Sequence, residues 1–145
     1  MFKKVLILGI GGQDGFYLTH FLHIKGYEVW GVLRPEDLST ETLSGLQGKA
    51  TLIQGSICDK PFMTRILSEI EPHEIYNLAS ISFIPLSWEQ PALVGEVNGS
   101  AVGQLLELIR TNSPETRFFQ AGSSEMFGHN PIESPQNEHT PYNPD

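Results

Sequence analysis

Lys4-Val-Leu-Ile-Leu8-Gly9-Ile-Gly-Gly12-Gln-Asp-Gly15 decides how this chain folds. Val5 to Leu8 is a continuous apolar run, as expected of a strand buried on both faces of a sheet. The glycines behind it are spaced G-x-x-G-x-x-G, with a fourth at Gly11, and a helical pattern opens directly after them. Each of the three spaced glycines has its own physical task. Gly9 permits a tight turn, Gly12 lets backbone approach a pyrophosphate, and Gly15 lets the helix lie close to the strand. Gln13 and Asp14 fall at the helix N-terminus, where free N–H groups and a partial positive charge favour phosphate. A glycine motif alone is weak, but this one sits in the strand–turn–helix context it requires.

Working outward, Gln13 to Lys25 carries Phe16, Tyr17, Phe21, Leu22 and Ile24 at helical spacing, with Gly26 placed as a C-cap glycine. Glu28 to Leu33 reads as a second strand, residues 35–48 as a loop with one helical turn, and Ala50 to Gln54 as a third strand. Asp59 is placed to cap a helix that has Pro61 in its first turn and runs to about Ile70. Glu74 to Leu78 and Thr116 to Gln120 read as strands four and five, flanking one long amphipathic helix over Pro91 to Thr111. Beyond Gly128 no further element is visible. Strands alternating with helices imply parallel pairing through right-handed crossovers. The expected fold class is therefore α/β, a doubly wound, Rossmann-like parallel sheet.

The 145 residues suit one domain, 1–145, and mean hydropathy of -0.16 with 39% hydrophobic content suits a globular one. Net charge of -8 argues against nucleic acid or an anionic membrane as partner, without excluding phosphate bound by local N–H groups. No apolar run approaches the roughly 20 residues of a membrane span. The basic start, Met1-Phe2-Lys3-Lys4, passes straight into the glycine motif with no small-residue cleavage site, so a cytoplasmic protein is expected. Cys58 is the only cysteine and reads as a packing residue. His20 and His23 have a metal-ligand spacing but no companion ligands nearby in sequence, and no metal site is expected. Trp30 and Trp88 read as packing residues.

Two stretches point to chemistry. Strand two ends in Leu33-Arg34, and a guanidinium there suits the 2′-phosphate of NADP, whereas Glu36 and Asp37 just beyond leave NAD open. Gln120-Ala-Gly-Ser-Ser-Glu-Met-Phe-Gly128 falls at the carboxyl end of strand five, the edge where such sheets hold ligands. In that position Ser123 is placed to orient a substrate hydroxyl and Glu125 to take a proton from carbon.

Gly9/Gly12/Gly15, Asn77-Leu-Ala79 and Gly122-Ser-Ser124 together resemble the extended short-chain dehydrogenases. Within these, Gly9-Ile-Gly-Gly-Gln-Asp-Gly15, Glu74-Ile-Tyr-Asn-Leu-Ala79, Arg117-Phe-Phe-Gln-Ala121 and Ser123-Ser-Glu-Met-Phe-Gly128 resemble the GDP-mannose 4,6-dehydratase family. The resemblance implies an NADP-dependent lyase acting on GDP-mannose. The hexose is oxidised at C4, a glutamate removes the C5 proton, water leaves from C6, and the hydride returns to C6. It further implies Glu125 as that glutamate and Ser123 as the partner of the C4 hydroxyl. Cofactor contacts would fall on Ser56, Ile57, Leu78, Ala79 and Ser82, and a sugar contact on Ser87. The family's oligomers imply a homo-oligomer.

Three departures stand out. Gly11 replaces the family's threonine in the turn, and Ser56 replaces an acidic residue after Gly55. The family's Tyr-x-x-x-Lys pair is absent, which implies a chain truncated before that helix and before the substrate domain. An epimerase or reductase of another nucleotide sugar, and a nucleotide-binding module without catalysis, are the alternative readings.

Overall fold

A computed structural model of the chain describes residues 2–34, 44–129 and 132–144. Glu36 and Asp37, the pair that leaves NAD open, lie outside the described residues. Five strands form one parallel sheet: β1 (Lys4–Leu8), β2 (Glu28–Leu33), β3 (Thr51–Gln54), β4 (Glu74–Asn77) and β5 (Arg117–Gln120). Their spatial order is β3-β2-β1-β4-β5, so the chain runs outward from β1 to one side and then crosses back to the other. Helix α1 (Gln13–Ile24) follows β1, α2 (Lys60–Ile70) follows β3, and a helical stretch of several segments joins β4 to β5. None of these helices is long and apolar enough to cross a membrane.

The doubly wound arrangement is visible in the core. Alternate residues of β1 point to opposite faces, and both faces are buried. Leu6 and Leu8 join Met63, Ile66, Leu67 and Ile70 of α2, whereas Val5 and Ile7 join Leu22 of α1, Val29 and Leu46. Cys58 packs partly buried against the first of these clusters. Asp59 caps α2, its side chain accepting from the Phe62 N–H at 3.0 Å, with Pro61 in the first turn. Gly26 ends α1 at φ +79°, a conformation glycine adopts without steric cost.

The structure differs from the sequence reading over residues 84–112. A short helix α3 (Ile84–Glu89) precedes the expected long one, and the latter is three segments: α4 (Pro91–Gly95), a π segment (Glu96–Ser100) and α5 (Ala101–Asn112). Gly95, Asn98 and Gly99 are poor helix formers, so the wider i→i+5 turn costs little there. Trp88 on α3 is 85% exposed rather than packed, while Trp30 lies partly buried against the core.

At the amino end of the α1 face, Tyr76 and Tyr27 donate to the two Glu74 oxygens at 3.1 and 3.4 Å. Burial, reinforced by that hydrogen bond and by the Glu74 charge, raises the Tyr76 pKa above its ordinary value.

Candidate functional site

The glycine turn sits where the chain order reverses, between β1 and β4, at the carboxyl edge of the sheet. The Gly9 and Ile10 N–H groups both donate to the Val32 carbonyl, and Gly12 N–H donates back to the Gly9 carbonyl at 3.1 Å. The three glycines face different surroundings. Gly9 has φ +78°, and a Cβ on it would lie 2.8–2.9 Å from the backbone of Leu78 and Ala79. A Cβ at Gly15 would lie 2.7 Å from Gly9 O and Ile10 Cα, so only glycine lets α1 approach the turn. At Gly12 a Cβ would meet no atom of the described residues closer than Gly9 O at 3.5 Å. No group among the described residues takes that space. Gly12 is also the N-cap of α1, and among the described residues no side chain caps the helix.

Gly12 opens onto a cleft of about 270 Å³. One wall is the turn itself with Leu33 and Arg34 at the end of β2. The second is Gly55, Ser56 and Ile57 after β3, and the third is the segment Leu78 to Ile81 after β4, joined by Val97 from the π segment. Of the residues singled out in the sequence, Gly9, Gly12, Arg34, Ser56, Ile57, Leu78 and Ala79 line this cleft. Gly15 is buried beneath it. Asp14 instead lines an open hollow on the far side of the turn, with Tyr17, Phe21 and Phe119. Gln13, Ser82 and Ser87 are not among the lining residues, and the Ser87 hydroxyl donates to the Ile84 carbonyl at 2.6 Å. Val97, Ile81 and Ser80 escaped sequence reasoning. Val97 carries the signature of a core helix position, and a loop of Ser and Ile carries none. A hollow of about 390 Å³ at the opposite edge, beside Lys3, His73 and Arg117, lies at the amino ends of the strands, where parallel sheets do not place ligands.

Ser123 and Glu125 lie just past β5. The Ser123 hydroxyl accepts from the Glu125 N–H at 3.2 Å and caps a 3-10 turn over Ser124–Phe127. Both residues are exposed, outside the cleft lining. The turn is held by the terminal segment. Asn143 N–H donates to the Met126 carbonyl at 2.9 Å, and Tyr142 stacks edge-on against Phe127 with centroids 5.9 Å apart. The ends of β4 and β5 are tied to each other. Fully buried Asn77 donates from Nδ2 to Gln120 Oε1 at 2.8 Å and accepts from Ala79 N–H. This bridge links the strand that leads into the cleft with the strand that leads to Ser123 and Glu125.

A doubly wound parallel sheet with a glycine turn and an uncapped helix at its switch point defines a Rossmann-type domain. Solved structures agree. The fold matches UDP-glucose 4-epimerase from Thermotoga maritima with TM-score 0.86 at 24% identity, covering 98% of this chain and 45% of that one. It matches UDP-glucose 4-epimerase from Brucella ovis, solved with NAD, with TM-score 0.86 at 20% identity, covering 99% and 42%. The model of the GDP-mannose 4,6 dehydratase family matches residues 6–145, and the chain belongs to that family. It is 39% identical over 154 residues to the GDP-mannose 4,6-dehydratase of Vibrio cholerae, and 39% identical over 155 residues to GDP-mannose 4,6 dehydratase 1 of Arabidopsis thaliana. These matches take in 99% and 98% of this chain but only 41% and 42% of those proteins. The chain thus spans about two fifths of the length of these relatives.

Proposed function

We propose that residues 1–145 form the dinucleotide-binding domain of a nucleotide-sugar 4,6-dehydratase that uses NADP and acts on GDP-mannose. The single observation that carries the reading is the side-chain space at Gly12, which no atom of the described residues fills and which opens into the cleft beside a helix N-terminus that its glycine N-cap leaves without a side-chain cap. A pyrophosphate suits that place. Backbone N–H groups at the start of α1 would hold it, and the Arg34 guanidinium at the end of β2 would take the adenosine 2′-phosphate. Leu78 and Ala79 would flank the other half of the dinucleotide. When bound, the nicotinamide supplies reversible oxidation of the hexose. Glu125 would take the proton from C5 and return one to the departing C6 oxygen, and Ser123 would orient the C4 hydroxyl. The family pairs the tyrosine that deprotonates that hydroxyl with a lysine four residues on, and no such pair stands within residues 1–145: Tyr17, Tyr27 and Tyr76 are followed at that spacing by Phe21, Gly31 and Ser80, and for Tyr142 that position lies outside this range. On this reading the catalytic unit needs residues outside this range, and so does most of the sugar-nucleotide site.

Titration of the 145-residue chain with NADP and NAD by calorimetry tests the first half. Saturable binding with NADP the tighter ligand is expected, and no binding of either would end the proposal. Arg34→Ser is expected to raise the NADP Kd about 10- to 100-fold, the loss of one bidentate charge-assisted contact, and to leave NAD within about threefold. Equal losses for both would place the 2′-phosphate elsewhere. The sugar half is tested by offering GDP-mannose and UDP-glucose to the catalytic unit; a 4-keto-6-deoxy product from GDP-mannose, without net consumption of cofactor, is the expected result.

A further inference from the structure

Residues 133–143 belong to no strand or helix, yet Thr140 among them is only 5% exposed. A buried hydroxyl outside regular structure needs partners from side chains and turns. The Thr140 hydroxyl accepts from the Asn137 N–H at 2.8 Å and donates to the Glu133 carboxylate. Asn137 joins the same knot, donating from Nδ2 to Glu133 Oε1 at 3.1 Å and accepting from the His139 N–H at 2.8 Å through Oδ1. The Thr140 N–H donates back to the Asn137 carbonyl at 3.0 Å. Residues 133–140 are thus closed on one hydroxyl and one carboxylate, and the chain leaves the knot in a set direction. Just beyond it, Tyr142 packs edge-on against Phe127 and the Asn143 N–H donates to the Met126 carbonyl. The 3-10 turn that they meet is short. Its own bonds run from the Met126 N–H to the Ser123 carbonyl at 3.2 Å and from the Gly128 N–H to the Glu125 carbonyl at 3.1 Å. So short a 3-10 turn has little stability of its own, and a hold from outside decides how closely it keeps one conformation.

We propose that residues 133–143 form a positioning strap for Glu125, with Thr140 as its anchor and Tyr142 as the residue that bears on the turn. The inference rests on the reading of Glu125 as the base for the C5 proton. Glu125 and Phe127 share one turn, so a change in where Phe127 rests moves the Glu125 carboxylate with it. Proton transfer depends steeply on that placement, and a misplacement of about 1 Å is enough to slow a reaction many-fold. Tyr142 is not among the residues that line the cleft, and it acts through Phe127.

The test uses three variants. Thr140→Val keeps the shape and removes both hydroxyl bonds, Tyr142→Ala removes the ring, and Tyr142→Phe keeps the ring without its hydroxyl. Amide exchange in the 145-residue chain is read at Gly128, which closes the turn, and at Leu78, which bonds to the Leu8 carbonyl between β1 and β4. Thr140→Val and Tyr142→Ala are expected to speed exchange at Gly128 about tenfold and to leave Leu78 within about twofold, and Tyr142→Phe to leave both within about twofold. In the catalytic unit the first two are expected to lower kcat with GDP-mannose about tenfold and to leave the dinucleotide Kd within about twofold, while Tyr142→Phe retains kcat. Unchanged exchange at Gly128 in both variants, or faster exchange with unchanged kcat, would overturn the proposal. So would Gly128 and Leu78 speeding together, the mark of a general loss of structure. A loss of kcat in Tyr142→Phe with Gly128 still protected would give the hydroxyl a part in the chemistry itself, and the positioning role would fall. Should Thr140→Val fold poorly, the unaltered chain still decides. Its Asn143 N–H is expected to exchange at least about tenfold more slowly than in an unstructured peptide, and exchange at the unstructured rate refutes the strap. If Glu125→Gln leaves turnover intact, the reading of Glu125 falls and this one with it. If that variant loses turnover while Thr140→Val and Tyr142→Ala keep it, only the strap falls.

Discussion

Gly12→Ala is expected to leave the chain folded and to cost it about a hundredfold in dinucleotide affinity, whereas Gly15→Ala is expected to damage the fold itself. The backbone at Gly12 has φ -75° and ψ 168°, extended values that any residue adopts, and the added methyl would meet no atom of the described residues closer than 3.5 Å. The stability cost is therefore held to the difference between glycine and alanine at an N-cap, within about 1 kcal/mol. On the dinucleotide reading the methyl would instead occupy the space where the pyrophosphate approaches the backbone. Loss of that approach at about a hundredfold corresponds to about 2.7 kcal/mol. At Gly15 the added methyl would lie 2.7 Å from three backbone atoms of Gly9 and Ile10. Backbone atoms cannot swing aside as a side-chain tip can, so α1 must lift off β1, and about 3 kcal/mol or more of stability is expected to go with it. Denaturant titration and calorimetry on the two variants separate the effects. A Gly12→Ala variant that binds like the unaltered chain would remove the strongest support for a nucleotide site in this cleft.

The second large effect is expected at Glu125. If it moves the C5 proton, Glu125→Gln keeps the shape and the Ser123-capped 3-10 turn but cannot accept a proton. A loss of about 10²- to 10⁴-fold in kcat is then expected in the catalytic unit, with the dinucleotide Kd unchanged because Glu125 lies outside the cleft lining. Exchange of the substrate C5 hydrogen with solvent deuterium gives a direct readout, and should vanish with turnover. Undiminished turnover in the glutamine variant would exclude Glu125 as the base. Lost turnover with C5 exchange intact would move its role to the later loss of water.

The sequence made most of this architecture legible, for a physical reason. β1 is buried on both faces and must be apolar at every position from Val5 to Leu8, and the glycine turn requires its three spaced glycines, so both leave patterns that survive without three-dimensional context. Asp59 likewise leaves a local mark, because a cap acts within three residues of itself. What stayed hidden depends on distant partners. Nothing near Asn98 announces that its amide will meet Ile81, and Val97 has the periodicity of an ordinary core position though it lines the cleft. Residues 84–112 read as one helix because apolar spacing resolves a helical face far better than it resolves a one-residue change of winding inside it. The roles of Ser123 and Glu125 rest on the place of their loop at the carboxyl end of β5 and on kinship with a family, since a Ser-Ser-Glu loop carries no periodicity of its own, and Ser123 here caps a 3-10 turn.

The position of β1 at the centre of the sheet also sets an order in time. It pairs with β2 through residues 24 apart, Lys4 with Glu28, and with β4 through residues 69 apart, Val5 with Glu74. Closing the longer loop costs about 1 kcal/mol more chain entropy than closing the shorter. β2 pairs with β3 through residues 21 apart, Trp30 with Thr51, and β4 with β5 through residues 43 apart, Glu74 with Arg117, so these pairs and β1–β2 are expected to form before β4 joins β1. Pulse-labelled exchange during refolding is expected to show the amides that join β1 to β4 protected after those within β1–β2–β3 and within β4–β5. The fork into which the glycine turn opens exists only after the first-made strand has captured a segment translated some seventy residues behind it.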